Sequence, residues 1–160
     1  RDEVPADLLR DMDREEITFP HEFIAKLAKH GLRGLRFPKK WGGRELPWTA
    51  EVVAEEEVGV LGNALGCAFA MTSIVGEPLN VFGTEDQKER YLRPILTDTK
   101  IPEEALTEPR GGSDFFGATT RTVVDGNSFV LNGQKRFVVG AEVADFFAVY
   151  CNTAPKAPPP

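Results

Sequence analysis

The sequence predicts an α+β protein, with an all-α amino-terminal helical domain followed by an antiparallel β-barrel or sheet domain that is incomplete at its C-terminus. Up to about residue 103, apolar residues recur at helical spacing. After residue 116, β-branched runs alternate with hairpin turn signals. The proline-rich stretch 155–160 cannot continue a central strand. We therefore predict a helical domain over residues 1–103 and a partial β domain over residues 104–160.

Composition restricts the class of protein. Of the 160 residues, 41% are hydrophobic and 11 are Phe, which is enough to bury a core. The 19 basic and 25 acidic residues give a net charge of −6 without a long basic run, so nucleic acid is not an expected partner. Cys67 and Cys151 are predicted to be buried free thiols, and His21 and His30 to be isolated residues on helix surfaces. No metal site is expected.

No export or membrane segment is predicted. The opening Arg1-Asp2-Glu3 is not followed by the apolar core of a signal peptide. The apolar stretch from Val58 to Val75 contains three glycines and is shorter than the roughly 20 residues that a membrane span needs. A buried helix is the expected structure there.

Local signals place the helices. A helix carrying Phe23, Ile24, Leu27 and Ala28 should begin near Pro20 and end at Gly31. A loop over 37–47 then leads to a helix that Thr49 caps and that runs to about Leu61.

A second pair of signals lies further along the chain. Thr84 and Gln87 form a capping box for a helix containing Tyr91 and Leu92. That helix should stop near Pro94 or a turn later.

Turn signals organise the β region. Asp125-Gly126-Asn127 and Asn132-Gly133 are hairpin signals. Four strands are predicted, at 119–124, 128–131, 136–139 and 145–151. Because open edges and bare apolar faces are liabilities, we expect residues beyond Pro160 or a partner chain to complete this sheet.

The segment from Leu106 to Asp114 joins the two regions. Its glycines allow close approach of the backbone, while Thr107 and Ser113 offer hydroxyls. Main-chain N–H groups in such a turn can point at a ring edge or a phosphate. Considered alone, the segment also fits an ordinary connecting loop.

Thr107 to Asp114 resembles the T-E-P-x-x-G-S-D signature of acyl-CoA dehydrogenases. The run 132–135 resembles the second signature of that family, N-G-x-K followed by an aromatic residue. Further matches at Pro38, Gly42-Gly43 and 82–88 follow the family's order. The resemblance extends from about residue 17 to 153.

The resemblance implies a cofactor and a reaction. In the family, a helical domain, a β middle domain and a four-helix domain hold FAD; a carboxylate removes the α-proton of an acyl thioester, and flavin N5 accepts the β-hydride. The base is expected beyond Pro160, so no catalytic residue is predicted in this chain. Ser113 is also implied in substrate binding. The implied cofactor-binding residues are Glu104, Ala105, Leu106, Thr107, Gly112, Ser113, Phe137, Val138 and Val139.

Several positions depart from the family pattern. Phe137 replaces a usual tryptophan, and Val139 stands where many members have a threonine or serine directed at the reactive edge of the flavin. Glu103 and Glu104 replace apolar or aromatic residues. Glu108 has a structural role in the family and is not expected to be the base.

The helical domain shapes the acyl cavity in the family. The implied wall is Leu79, Val81 and Phe82 together with 67–75, although plain core packing explains the same residues.

The resemblance implies α,β-dehydrogenation of an acyl-CoA by the complete protein. An acyl-CoA oxidase or flavin monooxygenase on the same scaffold is an alternative, and so is a non-catalytic fragment or subunit. The implied partners are acyl-CoA, an electron-transfer flavoprotein and further copies in a dimer or tetramer. The implied compartment is the bacterial cytoplasm or the mitochondrial matrix.

Overall fold

The computed structural model describes residues 3–98 and 100–153. Two compact units make up the chain. Of the described residues, the first unit contains those up to Glu103 together with Val139–Phe146, and the second contains Glu104–Val138 and those from Phe147 to 153. The chain therefore leaves the first unit at Glu103 and returns to it for one short segment.

The first unit is helical. Its helices are α1 (Ala6–Asp13), α2 (His21–Lys29), α3 (Trp48–Gly59), α4 (Asn63–Phe82), α5 (Glu85–Gln87) and α6 (Arg93–Thr97). A 3-10 turn, Lys39–Trp41, lies in the predicted loop, and a π-helical segment, Lys88–Leu92, connects α5 to α6.

Helix α2 ends where the sequence predicts. Gly31 has a φ of +64°, its N–H donates to Ala28 O, and the N–H of Leu32 donates to Leu27 O. This pair of hydrogen bonds is a Schellman motif, which satisfies the last carbonyls of the helix. Pro20 is the residue immediately before the helix.

The apolar stretch 58–75 is not one helix. Helix α3 ends at Gly59 and α4 begins at Asn63, with Gly62 at a φ of 145° between them. The prediction that Thr49 caps α3 is also wrong. Because the helix already begins at Trp48, Thr49 lies inside the first turn and makes no side-chain cap.

Helix α4 lies at the centre of the first unit. Length and apolar composition alone would allow Asn63–Phe82 to cross a membrane. Seven of its residues are nevertheless buried, among them Leu65, Phe69 and Val75, and it packs against α2, α3 and α6. Burial of these side chains makes α4 a core helix, although it begins at Asn63 and continues to Phe82, beyond the stretch for which the sequence predicts one.

The predicted capping box is confirmed at α5. Thr84 Oγ1 accepts from the N–H of Gln87, and the Gln87 side chain accepts from the N–H of Thr84. The helical path then continues through the π segment to Thr97, one turn beyond Pro94. Leu92, Ile95 and Leu96 pack with Phe37 and Trp41 in a buried cluster.

A buried arginine fixes the end of this path. Arg33 is 3% exposed and donates to Thr72 Oγ1 at 3.2 Å, to Asp98 O at 2.5 Å and to Lys100 O at 2.7 Å. Burial lowers the pKa of its guanidinium to about 10, so it stays charged at neutral pH. These bonds hold the segment that leads into the first strand.

Residues 3–98 and 100–153 contain four strands: β1 (Pro102–Ala105), β2 (Arg121–Asp125), β3 (Ser128–Asn132) and β4 (Phe146–Val149). β1 pairs with β4, and β2 pairs with β3 as an antiparallel hairpin in which Asp125 faces Ser128. The predicted hairpin turn at Gly126-Asn127 is confirmed. The predicted order of a helical domain followed by strands is also confirmed.

The predicted strand over 136–139 is wrong, and β1 was not predicted. Phe137 has a φ of +56°, which is incompatible with an extended strand. The β2–β3 hairpin exposes large apolar side chains on both faces, with Val124 and Phe129 on one face and Val123 and Val130 on the other. Such faces are expected of a sheet that further chain would cover.

Candidate functional site

The loop from Leu106 to Asp114 is built as a closed turn within the second unit. Glu108 and Gly111 form an isolated antiparallel bridge, with N–H to O distances of 3.2 and 3.0 Å around Pro109-Arg110. Asp114 accepts from the N–H of Gly117 at 2.9 Å and forms an exposed ion pair with Arg110. The turn is therefore closed at its base and at its C-terminal end.

Glu108 braces this loop from inside. It is 3% exposed. Its Oε2 accepts from the N–H and the hydroxyl of Thr119, both at 2.6 Å, and its Oε1 accepts from the N–H of Thr120 at 2.8 Å. The hydrogen bonds from Thr119 and Thr120 hold the pKa of Glu108 far below its usual range. A carboxylate so fully occupied and so acidic is a poor general base, in agreement with the structural role expected for it.

Lys135 joins the two sequence signatures. Its Nζ donates to Glu108 Oε1 at 3.0 Å and to Leu106 O at 2.9 Å. The N–H of Arg136 donates to Thr107 O at 2.9 Å. The N-G-x-K segment therefore lies directly beside the first residues of the loop.

Gly133 permits this approach. A Cβ at this position would lie 2.4 Å from Thr120 Oγ1 and 2.6 Å from Thr120 Cα. Thr120 is 1% exposed and cannot move into solvent. Only glycine lets the second signature pass this close to the backbone of Thr120.

The loop presents donors that the described part of the chain does not use. Among residues 3–98 and 100–153, no hydrogen-bond partner is seen for the hydroxyls of Thr107 and Ser113. The crevice lined by Leu106, Gly112 and neighbouring residues measures about 10 Å³, roughly the space of one water. These hydroxyls fit the polar edge of a flavin, but the loop by itself encloses no cofactor-sized cavity.

The predicted facing residues, Phe137 to Val139, are divided between the units. Phe137 and Val138 belong to the second unit and Val139 to the first. The Phe137 ring is 76% exposed, and the guanidinium of Arg136 lies 3.9 Å from its centroid. Arg136 therefore covers one face of this largely exposed ring, and a planar ligand would stack on the other face.

The two glutamates before the loop differ sharply. Glu103 is 1% exposed, its Oε2 has no hydrogen-bond partner among the described residues, and a Cβ at Gly140 would lie 2.5 Å from its Oε1. Burial raises the pKa of this carboxyl to about 7. Glu104 is half-buried and lies near Tyr150, whose pKa is raised by burial and then by the Glu104 carboxylate.

Sequence reasoning missed two contacts in this site. Lys135 was noted as part of a motif but not as the partner of Glu108, and Tyr150 was not singled out. The N-G-x-K lysine was the available signal for the first, whereas the Tyr150 contact depends on a long-range approach that no local pattern reveals.

Other predicted residues are placed as follows. In the implied acyl wall, Leu79 packs against the cluster around Phe37, whereas Val81 and Phe82 are exposed. Cys67 and Cys151 are free, as predicted, but half-buried. The described residues hold no group of His, Cys, Asp and Glu able to bind a metal.

Comparisons with known proteins identify the family of the chain. A family model of the acyl-CoA dehydrogenase N-terminal domain matches residues 1–99, and one of the middle domain matches residues 104–159. The caffeyl-CoA reductase-Etf complex subunit CarC of Acetobacterium woodii is 38% identical over 152 residues. That match covers 94% of this chain and 40% of CarC, so the chain spans about two-fifths of its relative's length.

Solved structures share the fold. Acyl-CoA dehydrogenase of Bacillus anthracis complexed with FAD superposes with a TM-score of 0.77 and is 29% identical, covering 91% of this chain and 24% of that one. The prolyl acyl carrier protein oxidase AnaB superposes with a TM-score of 0.83 and is 32% identical, covering 94% and 40%.

A helical domain followed through the signature loop by the start of a β domain is the architecture of a class of oxidoreductases that are flavoproteins. Within that class, the chain belongs to the acyl-CoA dehydrogenase family. It contains the helical amino-terminal domain and part of the middle domain.

Proposed function

We propose that the full-length protein binds FAD and interconverts an acyl-CoA thioester and its α,β-unsaturated counterpart. The observation that carries this proposal is the loop held by Glu108 and Lys135, which presents the free hydroxyls of Thr107 and Ser113 on one segment. Hydroxyls fixed on a rigid turn suit recognition of a polar ring edge.

Four residues of the site have specific roles in this proposal. Thr107 and the main chain of Leu106 hold the pyrimidine edge of the flavin, and Ser113 binds the phosphate side and the pantetheine arm of the thioester. Phe137 packs on the ring. Bound FAD supplies the two-electron acceptor for hydride transfer, whereas the base that removes the α-proton lies outside this chain.

The chain alone supplies only part of the site. The crevice of about 10 Å³ offers too few contacts to offset the cost of ordering a large cofactor. We therefore propose that residues beyond this chain, and further copies in a dimer or tetramer, complete the pocket. We also propose that the protein is located in the bacterial cytoplasm or the mitochondrial matrix.

The names of relatives support an electron-transfer partner. CarC is a subunit of a reductase-Etf complex, and other relatives are named acyl-CoA dehydrogenases. Reduction and dehydrogenation are opposite directions of the same exchange of two hydrogens at adjacent carbons. We propose an electron-transfer flavoprotein as the partner and dehydrogenation as the net direction.

An oxidase or a flavin monooxygenase is the second candidate. Val139 favours it, because a valine cannot donate the hydrogen bond that a threonine or serine would offer the reactive edge of the flavin. The name of AnaB supports an oxidase on this scaffold.

Reoxidation of the reduced flavin separates the two candidates. We expect the full-length protein to purify with FAD, to be reduced by acyl-CoA without oxygen, and to pass its electrons to an electron-transfer flavoprotein. Rapid formation of hydrogen peroxide in air without that acceptor would instead establish the oxidase. The 160-residue chain by itself is expected to purify without flavin.

A further inference from the structure

A second cavity lies within the helical unit, and none of its lining residues belongs to the signature loop. It measures about 600 Å³ and lies between α2, α3 and the segment before α1. Its lining is mostly apolar and includes Phe23, Leu27, Leu46, Val53, Ala54 and Leu61. This volume lies in the middle of the range for small-ligand pockets, roughly 300–1,000 Å³.

This cavity is not the implied acyl site. Of the helical residues that the family resemblance assigns to the acyl wall, only Phe69 lines it. No residue from Leu106 to Asp114 contributes to it.

The rim of the cavity already holds one carboxylate. The Glu3 side chain contacts His30, with 3.1 Å between Oε2 and Nε2, and the main-chain oxygen of Glu3 accepts from Lys26 Nζ. The hydrogen bond and the charge of His30, together with Lys29 and Lys26, hold the pKa of Glu3 below its ordinary value. Lys26 and Lys29 of α2, with His30 directly after the helix, form an anion-binding edge.

The remaining ionisable side chain of the lining is Glu57 on α3. A ligand with a single anionic group is oriented by the basic residues at the α2 side of the mouth, because they attract its charge.

We propose that this cavity binds a single-chain monocarboxylate, with its apolar tail among the α2 and α3 side chains and its carboxylate in place of that of Glu3. The tail leaves water for an apolar lining, whereas the carboxylate stays at the wet rim beside Lys26 and His30. Glu3 then competes with the ligand for the same basic edge. The acyl chain of the proposed reaction is bound elsewhere.

Equilibrium dialysis of radiolabelled decanoate against the full-length protein tests this assignment. Ala54→Phe fills the cavity and should lower the association constant at least about tenfold. Ala25→Phe places the same ring on the exposed face of α2 and should leave binding unchanged. Saturating acyl-CoA should not displace the decanoate.

Two substitutions at the rim test the assignment without altering the core. Glu3→Gln removes the competing charge and should tighten decanoate binding several-fold, whereas Lys26→Glu should weaken it. Neutral decanol should bind more weakly than decanoate to the wild-type protein.

The assignment is overturned if decanoate does not bind, if Ala54→Phe binds it as the wild type does, or if acyl-CoA displaces it. Should Ala54→Phe fail to fold, an unchanged affinity in Lys26→Glu overturns it equally. Equal binding of decanol and decanoate rules out the carboxylate recognition.

Discussion

Lys135 Nζ lies 3.0 Å from Glu108 Oε1, and both side chains are nearly buried, at 10% and 4% exposed. Because Lys135 also donates to Leu106 O, one ammonium ties the second signature to both ends of the Leu106–Glu108 segment. The geometry of the Leu106–Asp114 loop, which is proposed to hold the flavin, depends on this pair.

Lys135→Met should loosen the loop. The substitution leaves the Glu108 carboxylate buried without its counter-charge, and breaking such a pair typically costs about 3–5 kcal/mol. We expect a lower melting temperature and loss of bound flavin from the full-length protein, measured by thermal unfolding and by visible absorbance.

Arg110→Gln is the matched control for this pair. It removes the partner of Asp114 in an exposed ion pair, at 53% and 58% exposure, and such pairs contribute no more than about 1 kcal/mol. Equal losses in the two variants would show that Lys135 has no special role.

Thr107→Val should weaken flavin binding, although the valine side chain has nearly the same shape as threonine. It removes a hydroxyl without a protein partner, so stability should change little while a hydrogen bond to the ligand, about 1 kcal/mol, is lost. FAD titration of the apoprotein should give an affinity lower by about five- to tenfold. Thr49→Val, on the exposed face of α3, should have no effect, and an unchanged affinity in Thr107→Val would remove Thr107 from the site.

Gly133→Ala should destabilise the second unit. The added methyl group meets the buried Thr120, and overpacking of this kind costs about 1–3 kcal/mol. Gly111→Ala is the control, because nothing lies within 4 Å of a Cβ at that position. Chemical unfolding of both variants measures the difference, and similar midpoints would contradict the close approach seen at Gly133.

Glu103 should make stability depend on pH. Its pKa is raised from 4.5 to about 7 in the folded protein. Between these values the unfolded chain releases a proton that the folded chain keeps, so stability is full below about pH 4.5 and falls as the pH rises towards 7. The loss is on the order of 3 kcal/mol.

Glu103→Gln should flatten this dependence, because the amide is uncharged at every pH. Urea unfolding at pH 5 and pH 7.5 measures the slope, with Glu104→Gln as the control. A wild-type protein that is equally stable at both pH values would show that Glu103 ionises freely.

Local chemistry made part of this structure predictable. Gly31 marks the end of one helix and the Thr84–Gln87 box marks the start of another. Both boundaries are predictable because the residues that set them lie within four residues of the boundary. The hairpin at Gly126 is equally local. The signature at Thr107 identified the loop, because its residue types and spacing are specific.

Contacts between residues that are distant in the sequence explain the features that the sequence does not predict. β1 becomes a strand only because β4 returns to pair with it, and Glu103 is buried only because the turn at Gly140 covers it. Phe137 adopts a positive φ against its intrinsic preference, so a propensity argument predicts a strand there. No pattern within a short window carries this information.

Anaerobic titration of the full-length protein with a saturated acyl-CoA tests the central claim most directly. We predict that the protein purifies with FAD and that its visible flavin absorbance bleaches on addition of the thioester, while Lys135→Met purifies largely without flavin. A full-length protein that retains no flavin, or whose flavin stays oxidised with every acyl-CoA tested, would contradict the claim.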